Sequence, residues 1–178
     1  WQSGASNGVV GIYMQRYDAN ANRLGGETRV DPTDSRSPRY PKVAMEDNGD
    51  FVIIWESRKL AAGNRIIGVS AQRFSANGTR LGGEIDVAEP HFNGFGRAEV
   101  AMDSDGDFAV VWVGRTDTFV YVLYSQRFNK SGAKVGTETL LQTAVNDIVI
   151  TNPDIGMDDN GNYIITWVEQ DQSVFPAF

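Results

Sequence analysis

Three stretches of this chain match one another position by position, and the spacing they share leaves few folds open. In 44–55, 101–112 and 156–167, Met45, Met102 and Met157 stand ten residues before Trp55, Trp112 and Trp167. Gly49, Gly106 and Gly161 stand six residues before the same tryptophans. Trp1 has the phase of one more copy. The Trp-to-Trp spacings of 54, 57 and 55 residues lie in the range of periods that marks propellers and solenoids.

Each repeat divides into four strand-like pieces, a to d. Piece a is 41–45, 98–102 and 153–157, and piece b is 51–55, 108–112 and 163–167. Between them stand Asn48-Gly49, Asp105-Gly106 and Asn160-Gly161, dipeptides suited to the positive φ angles of a type I′ hairpin turn. Piece c ends in Gln15-Arg16-Tyr17, Gln72-Arg73-Phe74 and Gln126-Arg127-Phe128. A second polar turn follows each, and piece d then begins at Glu27, Glu84 and Glu138. β-Branched and aromatic residues dominate these pieces and no run shows sustained helical periodicity. The expectation is twelve short antiparallel strands and no helix, with 142–152 following no repeat template.

Piece b decides between architectures. Side chains of a strand alternate between two faces, yet Phe51-Val52-Ile53-Ile54-Trp55 is apolar on both, so both faces need cover. Blades of a β-propeller pack face to face and supply that cover. A β-trefoil, the alternative for three repeats of four strands, buries one face of most strands. The reading is an all-β, propeller-like array of four-stranded antiparallel blades with permuted ends. Residues 1–40 hold pieces c and d, 41–97 and 98–152 are full repeats, and 153–178 hold a and b plus a tail. Two complete units and two remnants are few for a ring of about four to eight blades. We therefore expect a piece of a longer parent chain, two chains completing one ring, or open edges that join chain to chain by strand addition.

Composition narrows the function. A net charge of −7 over 178 residues disfavours nucleic acid, which needs a basic stripe, and anionic membrane surfaces. With no cysteine there is neither a disulfide framework nor a zinc–thiolate site. No stretch approaches the ~18 apolar residues of a membrane span.

The run Ser-Gln-Arg-Phe or Ala-Gln-Arg-Phe, a turn, Gly-Gly-Glu, a gap, then Val-Ala-Met-Asp-x-Asp-Gly-Asp-Phe-x-Val-x-Trp resembles tandem repeats of very large secreted bacterial proteins. The resemblance covers 1 to about 167 and implies propeller blades, an extracellular or cell-surface setting and a non-enzymatic role. The a–b turn is also similar to the Asp-box hairpin of sialidase-type propellers, though Ser104-Asp105-Gly106 lacks the usual residue between Asp and Gly. That box is structural in those enzymes and implies no sialidase activity here.

Candidate chemistry has plain competitors. Asp103, Asp105 and Asp107 form an oxygen-rich cluster of the kind calcium takes, and calcium is the one cofactor the sequence suggests. The plain reading is a hairpin tip whose Asp and Asn side chains cap turn amides. In the other copies Asn48, Asn160 and Asn162 replace carboxylates, which favours turn chemistry. Recurrence of Gln15, Gln72 and Gln126 suggests an amide that satisfies backbone groups in every repeat, with the adjacent Arg pairing a neighbouring acid. A lone His91 has no partner ligands or triad motif, and no carboxylate pair stands out as an acid/base couple.

In an antiparallel four-stranded blade the a–b and c–d turns share one side, and the b–c and d–a loops share the other. The first set is stereotyped; the second, at 57–68, 114–120, 31–40, 88–97 and 142–152, varies. Variable loops on a rigid scaffold are where binding concentrates. They carry Arg36, Arg39, Tyr40, His91, Phe92, Phe95, Arg97 and Phe119, aromatics and cations suited to a carbohydrate or protein ligand. The leading expectation is a non-enzymatic extracellular scaffold, adhesion or assembly module that associates with itself. The alternatives are a carbohydrate-binding propeller and a sialidase-type hydrolase fragment.

Overall fold

The computed structural model describes residues 2–4, 10–32, 36–61, 64–88, 91–92, 97–116 and 118–173. They form fourteen strands, with no helix among the described residues. The first sheet is β1 (Gln2–Gly4), β2 (Val10–Tyr17) and β3 (Arg23–Arg29). The second runs in order through β4 (Arg36–Met45), β5 (Phe51–Ala61), β6 (Asn64–Phe74) and β7 (Arg80–Asp86). There β8 (His91–Phe92) pairs with β6 at Ile66 and Ile67. The third is β9 (Ala98–Met102), β10 (Phe108–Arg115), β11 (Tyr121–Phe128) and β12 (Lys134–Thr143). The fourth is the hairpin β13 (Ile148–Met157) and β14 (Tyr163–Asp171). Every pairing is antiparallel.

The repeat pattern accounts for twelve of these strands, and β1 and β8 are additions. Gln2 opposes Ile12 as Glu56 opposes Val69, so β1 lies where the outer end of piece b lies in the complete sheets. Trp1 itself is outside the described residues.

Double-sided burial of piece b is what the structure delivers. Phe51, Ile53 and Trp55 join Ile12, Val30, Met14 and Phe74 in a core between sheets one and two. From the same strand Val52 and Ile54 point the other way, meeting Phe108, Val110 and Trp112 between sheets two and three. Val111 and Val113 then face Ile150, Ile155 and Ile165 between sheets three and four. Met102 packs beside Trp112 against sheet two. The molecule is a succession of sheets stacked face to face, each separated from the next by its own apolar layer. Paired aromatics tie b to c: Phe51 stacks on Phe74 at 5.1 Å and Phe108 on Phe128 at 4.7 Å between ring centroids. Such cross-strand pairs add to stability beyond the area they bury. The fourth sheet differs: among the described residues it is the β13–β14 hairpin alone, with Ile164 and Val168 exposed.

The a–b turns are not type I′. Gly49, Gly106 and Gly161 adopt φ of 91°, 85° and 75°, but Asn48, Asp105 and Asn160 before them are not left-handed. The amide of Gly49 donates to Glu46 O and that of Glu46 to Asp50 O, both at 2.9 Å. This is a type I turn closed by a left-handed glycine, the three-residue hairpin loop. Type I wins because the residue that opens the turn caps it: Asp103 Oδ1 accepts from the amides of Asp105 and Asp107. Asp158 does the same for Asn160 and Asn162. The c–d turns repeat the geometry with Gly78 and Gly132, at φ of 86° and 83°. In the first sheet Ala21 occupies that position at φ 62°, where a Cβ crowds the following carbonyl at roughly 1–2 kcal/mol. Ala21→Gly is expected to raise stability by about 1 kcal/mol, or ~2–4 °C in Tm for a chain of this size. Gly132→Ala should act in the opposite sense and more strongly, since its Cβ would also lie 2.6 Å from Ile85 Cδ1. Thermal melts of the two variants check both signs.

Candidate functional site

The two ends of each sheet are built from different materials. On the turn side every described left-handed residue except Ala21 is glycine, including Gly25, Gly82 and Gly136, which sit at bulges in β3, β7 and β12. Opposite each bulge a glutamine does the work expected of it. Nε2 of Gln15, Gln72 and Gln126 donates to the carbonyls of Arg16, Arg73 and Arg127. The same amide group also reaches across to Gly25 O, Gly82 O and Val135 O. The adjacent arginines differ in partner: Arg73 lies near enough to the Glu46 carboxylate to favour its charged form, whereas Arg16 reaches a backbone carbonyl. Arg16 Nη1 donates to Ala76 O, in the turn of the next sheet, at 2.7 Å. Arg127 Nη2 lies 3.2 Å from where a Cβ on Gly161 would sit. These arginines bind neighbouring turns together.

The three aspartates of the β9–β10 turn are part of the same bracing. Asp103 holds the two turn amides, and Asp107 Oδ1 accepts from Lys130 N at 2.8 Å. Asp50 makes the equivalent bond to Ala76 N, so the last residue of each a–b turn caps the c–d turn beside it. At the related Asp158 the Asn162 side chain, aided by the Asn162 and Asn160 amides, holds the carboxyl below its ordinary pKa. Among the described residues no group of three His, Cys, Asp or Glu side chains is placed to hold a metal ion.

On the opposite side the left-handed residues are not glycines: Tyr40, Phe119, Asn146 and Asn152 have φ of 51°, 64°, 53° and 50°. Strain of this sort, of order 1–3 kcal/mol per residue, concentrates at functional sites. The expected loops are largely extended strand. β5 continues to Ala61 and β6 starts at Asn64, while β4 takes in Arg36, Arg39 and Tyr40 and β8 takes in His91 and Phe92. In 142–152, β12 and β13 cover all but the turn at 144–147. Side chains of Arg36, His91 and Phe92 are not described, and Phe95 lies outside the described residues.

What the structure brings together is a row at the head of strand a. Tyr40 and Asn152 each precede a proline, at bulges of β4 and β13, and Arg97 stands at the corresponding place before β9. Arg97 Nη1 donates to Asn152 Oδ1 at 2.6 Å. One step along the strands, Lys42 Nζ meets Glu99 Oε1 at 2.6 Å. Arg39 is half-buried in β4. Phe119 stands apart, 61% exposed at the tip of the β10–β11 hairpin. That tip is closed by Thr116, whose amide donates to Val120 O and whose Oγ1 accepts from Val120 N. A bulky residue in a left-handed site at an exposed tip has no packing reason to be there. Phe119→Gly is expected to raise stability by about 1 kcal/mol, read as an upward shift in Tm.

A groove of about 720 Å³ lies elsewhere, between sheets one and two, lined by Ile12, Met14, Val43, Met45, Phe51 and Ile53 among others. Of the loop-side candidates whose side chains are described, Arg39, Tyr40, Arg97 and Phe119, none lines it. Sequence reasoning placed Val43 and Met45 in strand piece a and did not ask what covers them; the signal was that 1–40 hold only pieces c and d. Comparison with family models, curated proteins and solved structures found no match to this chain.

Proposed function

We propose that this chain is a non-enzymatic, extracellular or cell-surface assembly module of β-propeller type, which scaffolds or adheres by joining to its neighbours through open sheet edges. The observation that carries this reading is the asymmetry of the stack. Among the described residues two internal sheets have four strands and are covered on both faces, whereas the first and last leave strand edges and apolar side chains uncovered. Innermost strands of successive sheets, β4, β9 and β13, lie side by side, as strands nearest the axis of a propeller would. Uncovered edges of this kind recruit further strands. The test is sedimentation velocity over a wide concentration range. Association that grows with concentration is the expected result, and a single monomeric species throughout would overturn it.

A carbohydrate-binding propeller is the second reading, favoured by the exposed, left-handed Tyr40 and Phe119 on the loop side. Aromatic faces of this kind stack on sugar rings. Binding on a glycan array that disappears in both Tyr40→Ala and Phe119→Gly is its expected signature, and an empty array removes it.

A further inference from the structure

We propose that the loop-side end of sheet two is a seat for an acidic polysaccharide, where a face of arginines meets carboxylates strung along a sugar chain. The seat presupposes the carbohydrate reading above and adds the charge of the ligand and the residues that meet it.

Cations gather in two short stretches. Residues 35–45 carry Arg36, Arg39 and Lys42 and no acid, and 57–68 carry Arg58, Lys59 and Arg65 and no acid. In a chain of net charge −7 these strand ends are positive ground.

The ladders place most of these cations on one face. Val52 and Ile54 of β5 look toward sheet three, and positions alternate along a strand, so Glu56, Arg58 and Leu60 belong to that face. In β4, Arg39 opposes Glu56 and Arg36 opposes Arg58. In β6, Ile67 opposes Arg58 and Arg65 opposes Leu60, and His91 of β8 opposes Ile67. Residues directly opposite each other share a face. Arg36, Arg39, Arg58, Arg65 and His91 therefore all hold positions on the side of sheet two that looks toward sheet three. Lys42, which opposes Ile54, fixes the direction by reaching Glu99 of β9. Lys59 falls on the other face, so beyond Lys42 the face has arginines and no lysine.

These positions form a track. The rows at Glu56, Arg58 and Leu60 are two residues apart, roughly 7 Å. They string Arg39, the Arg36–Arg58 pair and Arg65 over about 14 Å. Among the described residues the one carboxylate in these rows is Glu56, opposite Arg39. Across the gap, Gly114 and Val122 form the pair next beyond Trp112 and Tyr124 in sheet three, and they bring no charge. Like charges directly opposite in a ladder destabilise it, and an anion lodged over Arg36 and Arg58 removes that cost.

The chemistry of the track selects its occupant. A guanidinium is a planar fork that matches a carboxylate with two parallel hydrogen bonds. A line of forks suits a chain that repeats its charge better than one compact anion. Tyr40, next to Arg39, is 56% exposed and held at φ 51°, a fixed aromatic surface for a sugar ring. A uronate chain carries at most one charge per sugar. Nucleic acid carries one at every phosphate, and the acidic remainder of this chain repels it more.

The experiment is isothermal titration of the full chain with oligogalacturonate, with neutral maltohexaose and with a single-stranded oligonucleotide of matching charge. Oligogalacturonate is expected to bind, and more weakly as salt rises from about 50 to about 300 mM. Arg58→Gln and Arg65→Gln are each expected to weaken it about tenfold, as loss of a hydrogen bond to a charged group does. Arg23→Gln, the same charge change on the exposed strand β3, should leave affinity within about twofold. Arg58→Lys keeps the charge and gives up the fork, and its affinity is expected between those of Arg58→Gln and the unaltered chain. Circular dichroism melts verify that each variant is folded. Binding of maltohexaose as tight as that of the uronate, indifferent to the arginine variants, would overturn the acidic seat and spare the carbohydrate reading. No heat with either glycan would sink both. Tighter binding of the oligonucleotide than of the uronate would make the partner a nucleic acid and overturn the glycan. Equal losses in Arg23→Gln and Arg58→Gln would reduce the effect to net charge and leave no seat.

Discussion

Phe108→Ala is expected to cost about 3–5 kcal/mol, the usual range for emptying a fully enclosed aromatic site. Phe108 opens β10, has no exposed surface, and sits in the layer that joins sheets two and three with Val52, Val69 and Ala71. Its ring lies 8° from parallel to that of Phe128, so truncation also strips the stacked partner of its cover. Around it β-sheet backbone is fixed by paired strands on both sides, β9 and β11, and cannot collapse into the cavity. Val135→Ala, on the exposed outer strand β12, should stay within about 0.5 kcal/mol. The comparison is made by urea denaturation monitored through tryptophan fluorescence, since Trp112 lies in the same layer. A loss below about 1 kcal/mol for Phe108→Ala would mean that sheets two and three are not held by this layer.

Periodicity made the architecture legible because it is written in side chains that pack. Met102, Phe108 and Trp112 recur at fixed spacing since each meets a neighbouring sheet, and alternation in 51–55 told correctly that both faces are covered. What was misread lies where backbone geometry overrides residue type. Asn-Gly and Asp-Gly fit a type I′ turn, but a cap from Asp103 or Asp158 at the turn's first residue stabilises type I with a left-handed glycine instead. Tyr40 and Asn152 precede prolines, and such residues are normally pushed to extended conformations. Their left-handed φ is set by the bulge that lets strand a accommodate a proline without a ladder hydrogen bond, a tertiary demand that the dipeptides do not announce. Variable segments read as loops because they break the template, yet 57–61 and 64–68 are strand: pairing with each other suffices, and no repeat is needed for that. The groove was invisible for a simpler reason. Val43 and Met45 are ordinary strand residues by type, and only their exposure in the folded chain marks their face as a groove wall.

Gln72→Leu should cost about 2–3 kcal/mol although it leaves the volume almost unchanged, and it should cost more than the same change at Gln126 or Gln15. Nε2 of Gln72 donates to Arg73 O and Gly82 O, and Oε1 accepts from Arg80 Nη1 at 3.0 Å. A leucine leaves those carbonyls without their donor, and a buried polar group stripped of its partner costs ~1–3 kcal/mol. Arg80 makes the larger difference. Its Nη2 donates to Arg29 O and Val30 O at the end of the first sheet, and its guanidinium lies 5.5 Å from the centre of the Phe74 ring. Gln72 therefore orients an arginine that ties sheet two back to sheet one, on a different strand from the Arg16 contact, and networks of this kind lose more than a single bond when cut. Gln126 keeps the two carbonyl contacts, but Lys134 replaces Arg80 in its strand. Gln15 makes the same pair of bonds in a half-buried site that water can reach. The expected order is Gln72, then Gln126, then Gln15, in melting temperature and in hydrogen-exchange protection of Ile12 and Val30. Equal losses at all three would show that the glutamines act only within their own sheets and that Arg80 couples nothing.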